Sequence, residues 1–308
     1  MRAVKLLEDR FRELSYEVWS SIEEKENIKE TTITDNIMKE LNTLNSQYLL
    51  AIDGQNEGLK GADIEWWILY PGNDTHNPHA IHMRIQAKKL HRGKRKTDHQ
   101  YKDLNHKNGK QMNNLISKAV KDCAIPMYCF YNYYFDNPNS YTKPNVTRED
   151  DGWRYAYANN IQTLRTKNPK NFKELKIIDP STKPMHELAM LSRITPMRIL
   201  NRYITLNPTI KKEDLCNNVL PSYVFKALED YQFPNHKFLK QGNWFEGVVS
   251  KKKQKYKEEQ GKRKIAARIQ PTFRNLMNFL SFGYRKLPRY LIIVIAEEAI
   301  NSEDRRKN

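Results

Sequence analysis

Apolar residues recur along the first third of the chain with two periods, and the switch between them lays out the elements. Over 4–26, Leu6, Leu7, Phe11, Leu14, Val18, Trp19 and Ile22 fall three or four apart, forming one stripe of an amphipathic helix. "ETTITDNIMKELNTL" repeats that spacing, with Ile37, Met38, Leu41 and Leu44 on the buried face and Thr34 as the expected N-cap. The period then drops to two. "QYLLAID" (47–53) reads as a short strand, closed by a turn through Gly54, Asn56 and Gly58. "GADIEWWILY" (61–70) reads as a strongly hydrophobic strand, and the turn formers of "YPGNDTHNPH" (70–79) join it to a second strand at 80–90. In that strand Ile81, Met83, Ile85 and Ala87 alternate with His82, Arg84, Gln86 and Lys88, which predicts one apolar and one polar face.

Helical spacing returns in "KQMNNLISKAVKDC" (110–123) through Met112, Leu115, Ile116, Ala119 and Val120, and "IPMYCFYNYYF" (125–135) follows as a largely buried strand. The order is helix, three strands, helix, strand, so the expected class is α/β with a mixed sheet flanked by helices. The pattern weakens after 136. A loop at "DNPNSYTKPN", a short helix in 153–165 and a strand in "LKIID" (175–179) are expected, then helices near 185–193 and 221–230. A lysine-rich run (251–264) and a last strand (290–296) complete the reading, with no internal repeat. The expected division is an N-terminal helix over 1–24, a central domain over 25–190 and an irregular basic C-terminal region over 191–308 that packs on or extends the core.

Composition narrows the function classes. The chain has 308 residues, enough for a substantial core, yet its mean hydropathy is −0.83, so much of it is solvated. Net charge is +17, which favours polyanions because each phosphate neutralised releases condensed counterions. Cys123, Cys129 and Cys216 are odd in number and lack metal-ligand spacing, as expected of reduced cysteines in a cytoplasmic protein. The N-terminus lacks a signal-peptide core, and "YLIIVIA" (290–296) is too short to span a bilayer, so no membrane partner is expected.

Two pairs of polar residues stand out against the hydrophobic strands. Asp63 and Glu65 are two apart, as are Gln86 and Lys88, and side chains two apart share a strand face. If the strands are neighbours, all four meet near one end of the hairpin. A hard divalent cation takes oxygen ligands in octahedral array, with water and phosphate completing the set. Asp63 offers a carboxylate, Gln86 an amide oxygen and Ala87 a main-chain carbonyl. Lys88 can orient the attacking water and offset charge on a phosphate. These residues alone leave two readings open, metal-dependent phosphodiester chemistry and an ordinary solvated strand face. The sequence has no phosphate-binding glycine-rich loop, no HExxH and no nucleophile elbow.

"GAD" at 61–63 and "QAK" at 86–88, in this order after a helix, resemble the PD-(D/E)XK nuclease superfamily. They are most similar to its Gln-x-Lys branch, typified by type IV restriction endonucleases. "ETTITD", "GADIEWWI", "IQAKKL" and "IPMYCFYN" together resemble a bacterial family suspected of serving in phage defence. The resemblance covers about residues 1–135. It implies a restriction-endonuclease-like αβββαβ core and an endonuclease dependent on Mg²⁺, for which Mn²⁺ can substitute. In it Asp63 is the principal metal ligand, Gln86 the second and Lys88 the catalytic lysine. Glu65 would bind a second ion or pair with Arg84 across the hairpin. A further acid from the first core helix is implied, with Glu30 the candidate and Glu40 and Glu57 as alternatives. Gln111, in the first turn of the next helix, either faces the site or fills the helix start, and Tyr101 is open to a site or a structural reading in the same way.

Substrate contacts are expected from "KKLHRGKRK" (88–96), where Lys89, Arg92, Lys94, Arg95 and Lys96 border the site as phosphate contacts require. Neither this run nor 251–264 carries readable base-recognition logic, so sequence-tolerant binding to nucleic acid, DNA in the first instance, is expected. Two other classes fit the same residues. One is a catalytically silent nucleic-acid-binding module, the other an interaction subunit whose C-terminal half docks a partner protein of a defence system. A homodimer is a further expectation, since cutting two strands with one site per chain takes two copies.

Overall fold

The computed structural model describes residues 2–44, 49–53, 62–69, 80–92, 99–106, 108–134, 147–189, 194–210 and 290–295, together with Leu215 and Val224. Helix α1 (Arg2–Glu24) turns through a short loop into α2 (Glu30–Thr43). Three strands follow, β1 (Leu49–Asp53), β2 (Ile64–Leu69) and β3 (Ala80–Lys89), with a two-stranded ribbon of β4 (His91–Arg92) and β5 (His99–Gln100) beyond them. After a 3₁₀ turn (Lys102–Asn105) come α3 (Lys110–Lys121), β6 (Ile125–Tyr131), α4 (Arg148–Asp151), β7 (Trp153–Tyr157) and α5 (Ala158–Lys167). The remaining elements are α6 (Leu175–Ile178), β8 (Lys183–Pro184), α7 (His186–Ala189), α8 (Ile194–Leu206) and β9 (Tyr290–Ile295).

Seven strands form one mixed sheet in the order β1-β9-β2-β3-β6-β7-β8. β2 and β3 are antiparallel neighbours, as the hairpin reading requires, and β3 pairs parallel with β6. The fold is therefore α/β with a mixed sheet flanked by helices. β9 departs from the expected succession of three adjacent strands. It lies between β1 and β2, antiparallel to the first and parallel to the second. The C-terminal region thus supplies a central strand.

Helices cover both faces. On one, Phe11, Leu14 and Ile22 of α1 and Ile37 and Leu41 of α2 pack on Ile64, Trp66, Met83 and Ile85. Phe11 stacks on Trp153 with centroids 5.3 Å apart and tilts against Trp66 at 5.5 Å. On the other, Met112 and Leu115 of α3 and Ile161 of α5 pack on Tyr128 and Phe130 of β6. β3 is accordingly buried along its whole length, polar positions included, so its polar face is covered rather than solvated.

Local readings fail where tertiary pairing decides. Residues 153–165 begin as β7 and become helical only at Ala158, because 153–157 complete the sheet beside β6. "LKIID" is a helical turn, with Leu175 and Ile178 three apart and both buried. α2 starts at Glu30 rather than after Thr34; Thr34 sits inside the helix, where its hydroxyl reaches the Glu30 carbonyl at 3.0 Å and the Tyr131 hydroxyl at 2.9 Å. The helix expected near 221–230 lies, apart from Val224, outside the described residues, as does 251–264.

Candidate active site at the open end of the β2–β3 hairpin

Asp63 lies one residue before β2 and is fixed by its main chain on both sides. Its N–H donates to the Ile85 carbonyl at 2.9 Å, and its carbonyl accepts from the Tyr290 N–H at 3.3 Å. The Tyr290 hydroxyl in turn donates to Asp35 of α2. The central position of β9 therefore has a local consequence, since it holds the Asp63 backbone from the side opposite β3.

The edge of β3 beyond the start of β2 would leave main-chain donors without a strand to meet. Two carboxylates take that place. Asp63 Oδ2 accepts from the Ala87 N–H at 2.9 Å, and Glu30 Oε2 accepts from the Lys89 N–H at 3.0 Å. A strand residue turns its N–H and C=O toward the same neighbour, so the Ala87 carbonyl faces this edge as well, between the two acids. Gln86 Nε2 also donates to Asp63 Oδ2. Lys88 is 3% exposed, and its Nζ lies 3.7 Å from Glu30 Oε1. The hairpin and the first turn of α2 thus gather Asp63, Gln86, Ala87, Lys88 and Glu30 at one place.

The electrostatics follow from that crowding. Burial pushes the Glu30 carboxyl up to about 7; the Lys88 ammonium and the Lys89 N–H oppose the rise, while the negative charges of Asp63 and Asp103 add to it. Asp103, in the 3₁₀ turn, was not singled out by sequence reasoning, because only the folded chain brings that turn towards α2. Tyr128 was likewise missed. It is the register partner of Gln86 on β6, a relation that becomes readable only once β6 is known to run parallel to β3.

The other expected residues fall elsewhere. Glu65 points from the same strand face as Asp63 but lies deeper, 4% exposed, with Oε2 3.5 Å from His82 Nε2. Arg84, its register partner, is engaged by Asp122 at the end of α3. His82 stacks on Trp67 with centroids 4.1 Å apart, so this part of the face is packed rather than open. Glu40 pairs with Arg10 at 2.7 Å on α1. Gln111 is half-buried in the first turn of α3, and Tyr101 is a core residue whose hydroxyl donates to Asn132 at 2.7 Å. Glu57, Lys94, Arg95, Lys96 and the side chain of Arg92 lie outside the described residues.

Lys89 requires a correction. Expected at the phosphate-binding edge, it is 4% exposed and its Nζ donates to the Glu26 carbonyl in the α1–α2 loop. Burial lowers its pKa, against the favourable field of Glu26. Side chain and main chain together tie the loop and Glu30 to the end of β3. Lys89→Met keeps the stem and removes the ammonium, so a lost stability of about 1–2 kcal/mol is expected, read as a lower urea midpoint. If the chain binds DNA, the salt slope of that binding should not change in the variant, because a lost phosphate contact would flatten it by about one unit.

A family profile described as a family of unknown function (DUF6615) matches residues 7–270. The chain belongs to this family. The matched span contains every residue of the site, from Glu30 to Tyr128, whereas the DUF6615 match ends before β9. No curated protein and no solved structure matches the chain. No helix among the described residues is long and apolar enough to cross a membrane.

Proposed function

We propose that this DUF6615 protein hydrolyses phosphodiester bonds in nucleic acid, DNA in the first instance, with a divalent cation held at the edge of β3. The observation that carries the reading is the pair of carboxylates, Asp63 and Glu30, on alternate N–H groups of one strand edge, with Lys88 3.7 Å from the second. Burial beside Asp63 drives Glu30 up to about 7, a strain that a shared cation would relieve.

The donor set fits Mg²⁺ or Mn²⁺. The groups that would hold it are Asp63, Glu30, the Ala87 carbonyl and, by its oxygen, Gln86. Among the described residues no three His, Cys, Asp or Glu side chains gather as a ligand set; the remaining ligands of a cation here would have to come from water and phosphate. Such a cation supplies Lewis acidity and charge neutralisation at a phosphate oxygen.

The chain's own residues do the rest. Lys88, enclosed by the sheet and oriented by Glu30, offers an ammonium to a non-bridging oxygen of the scissile phosphate and to the attacking water. Asp63 is held by β3 and β9 and keeps the acid edge in register. Glu30, ionised when it shares the cation, accepts from the Lys89 N–H and holds the Lys88 ammonium in place, while the proton of the attacking water leaves to solvent. The test is incubation of the purified chain with plasmid, linear duplex, single-stranded DNA and RNA, in Mg²⁺, Mn²⁺ or chelator. Cleavage that needs the cation is expected; binding without cleavage of any of the four under either ion would overturn the reading and leave a nucleic-acid-binding module.

A further inference from the structure

Tyr128 stands beside Gln86 in the β3–β6 pairing, so the two side chains rise from the same sheet face. Its ring is fully buried in the cluster that includes Leu104, Met112 and Phe130. Its hydroxyl is enclosed as well, yet has no hydrogen-bond partner among the described residues. Buried hydroxyls are seldom left in that condition, and a phenylalanine would fill the same space without the cost. Burial raises the phenol's pKa, with the Arg165 charge opposing and the Asp63 charge adding to the rise, so the hydroxyl lies within electrostatic reach of the acid edge.

On its other side, Gln86 turns its amide nitrogen to Asp63 Oδ2. That orientation suits acids with no cation between them, since it presents hydrogens to a carboxylate. A cation shared by Asp63 and Glu30 requires the opposite end of the amide. The terminal torsion of glutamine is broad and two-fold, so a rotation there exchanges oxygen for nitrogen. The rotation sends the NH₂ group toward β6, the strand that carries Tyr128. A hydroxyl oxygen accepts as well as donates.

We propose that Tyr128 is a positioning residue, its hydroxyl accepting from the Gln86 amide nitrogen and so turning the amide oxygen to the acid edge. This rests on the cation site proposed above. It gives the hydroxyl, unpaired among the described residues, a partner in the loaded state, and a reason for a tyrosine where an apolar ring would pack equally well.

The test is Mn²⁺ binding to the full chain by titration calorimetry, for wild type, Tyr128→Phe, Gln86→Glu and the double variant, with thermal melts in chelator. Tyr128→Phe is expected to weaken Mn²⁺ binding about five- to tenfold without lowering the melting temperature in chelator. On the Gln86→Glu background it should change nothing, because a carboxylate offers oxygen at both ends. Undiminished Mn²⁺ affinity in Tyr128→Phe overturns the inference, as does a loss that persists in full beside Glu at position 86. A purely structural tyrosine would instead lose stability in chelator. If the wild type takes up no Mn²⁺ the cation site itself falls, a result distinct from wild-type binding that Tyr128→Phe leaves unchanged.

Discussion

Lys88→Ala is expected to reduce cleavage by about three orders of magnitude while DNA affinity changes less than about threefold. Removing one charged group aimed at a developing oxyanion typically costs about 10²–10³ in rate, and in the proposed mechanism Lys88 combines that role with orientation of the water. Affinity should survive, because binding to duplex is carried by many phosphate contacts and Lys88, 3% exposed, is at most one of them. The fold should survive too. Deleting one member of a buried ion pair ordinarily strands the other's charge, but Glu30 already lies at about 7 and can take a proton instead. Single-turnover cleavage, a filter-binding isotherm and a urea melt on the same preparation separate the three quantities. Asp63→Asn should behave alike in cleavage. Activity within tenfold of wild type in either variant would remove the mechanism.

How far the sequence disclosed this site depends on which contacts are local. Asp63, Gln86 and Lys88 were legible because strand alternation puts residues two apart on one face, and the turn formers at 70–79 made the hairpin readable. Their pairing in β2–β3 follows that register. Glu30 was reached through the family resemblance. The helix-start rule had pointed to Thr34, a good capping residue, whereas the structure starts the helix after Lys29, whose side chain makes no cap hydrogen bond. What binds that turn is Lys89, from a strand 59 residues away. No local propensity encodes such a bond.

The sheet order shows the same limit more strongly. A run such as "YLIIVIA" announces a buried strand but not its neighbours, and its place between β1 and β2 joins residues separated by most of the chain. Tyr128 belongs to this class. Within "IPMYCFYNYYF" it is one aromatic among several, and its significance comes only from the parallel register that sets it beside Gln86. Local periodicity thus gives the hairpin and its polar positions. Distant strands and loops complete the ring of acids around them.

Without a divalent cation, stability should fall as pH rises from about 4.5 to about 7, and Glu30 should be the cause. Its folded pKa lies above the ordinary value of 4.5, raised first by burial, with Asp63 and Asp103 adding and Lys88 and the Lys89 N–H opposing. Between those pH values the folded state holds a proton that the unfolded chain has released, so each increment of pH favours unfolding. The loss begins near the unfolded pKa and is complete once pH passes the folded one, reaching on the order of 3 kcal/mol. Glu30→Gln keeps an oxygen for the Lys89 N–H but cannot ionise. It should match wild type near pH 4.5 and exceed it in stability at pH 8. Mg²⁺ favours the ionised carboxylate, so it should restore the wild type at pH 8 and stabilise Glu30→Gln less, since that variant keeps Asp63 but not the second charge. Urea midpoints at pH 4.5, 6 and 8, in chelator and in Mg²⁺, provide the measurement. Parallel curves for the two proteins across that range would mean that Glu30 titrates as an ordinary surface acid, and the strain ascribed to the acid pair would have no thermodynamic trace.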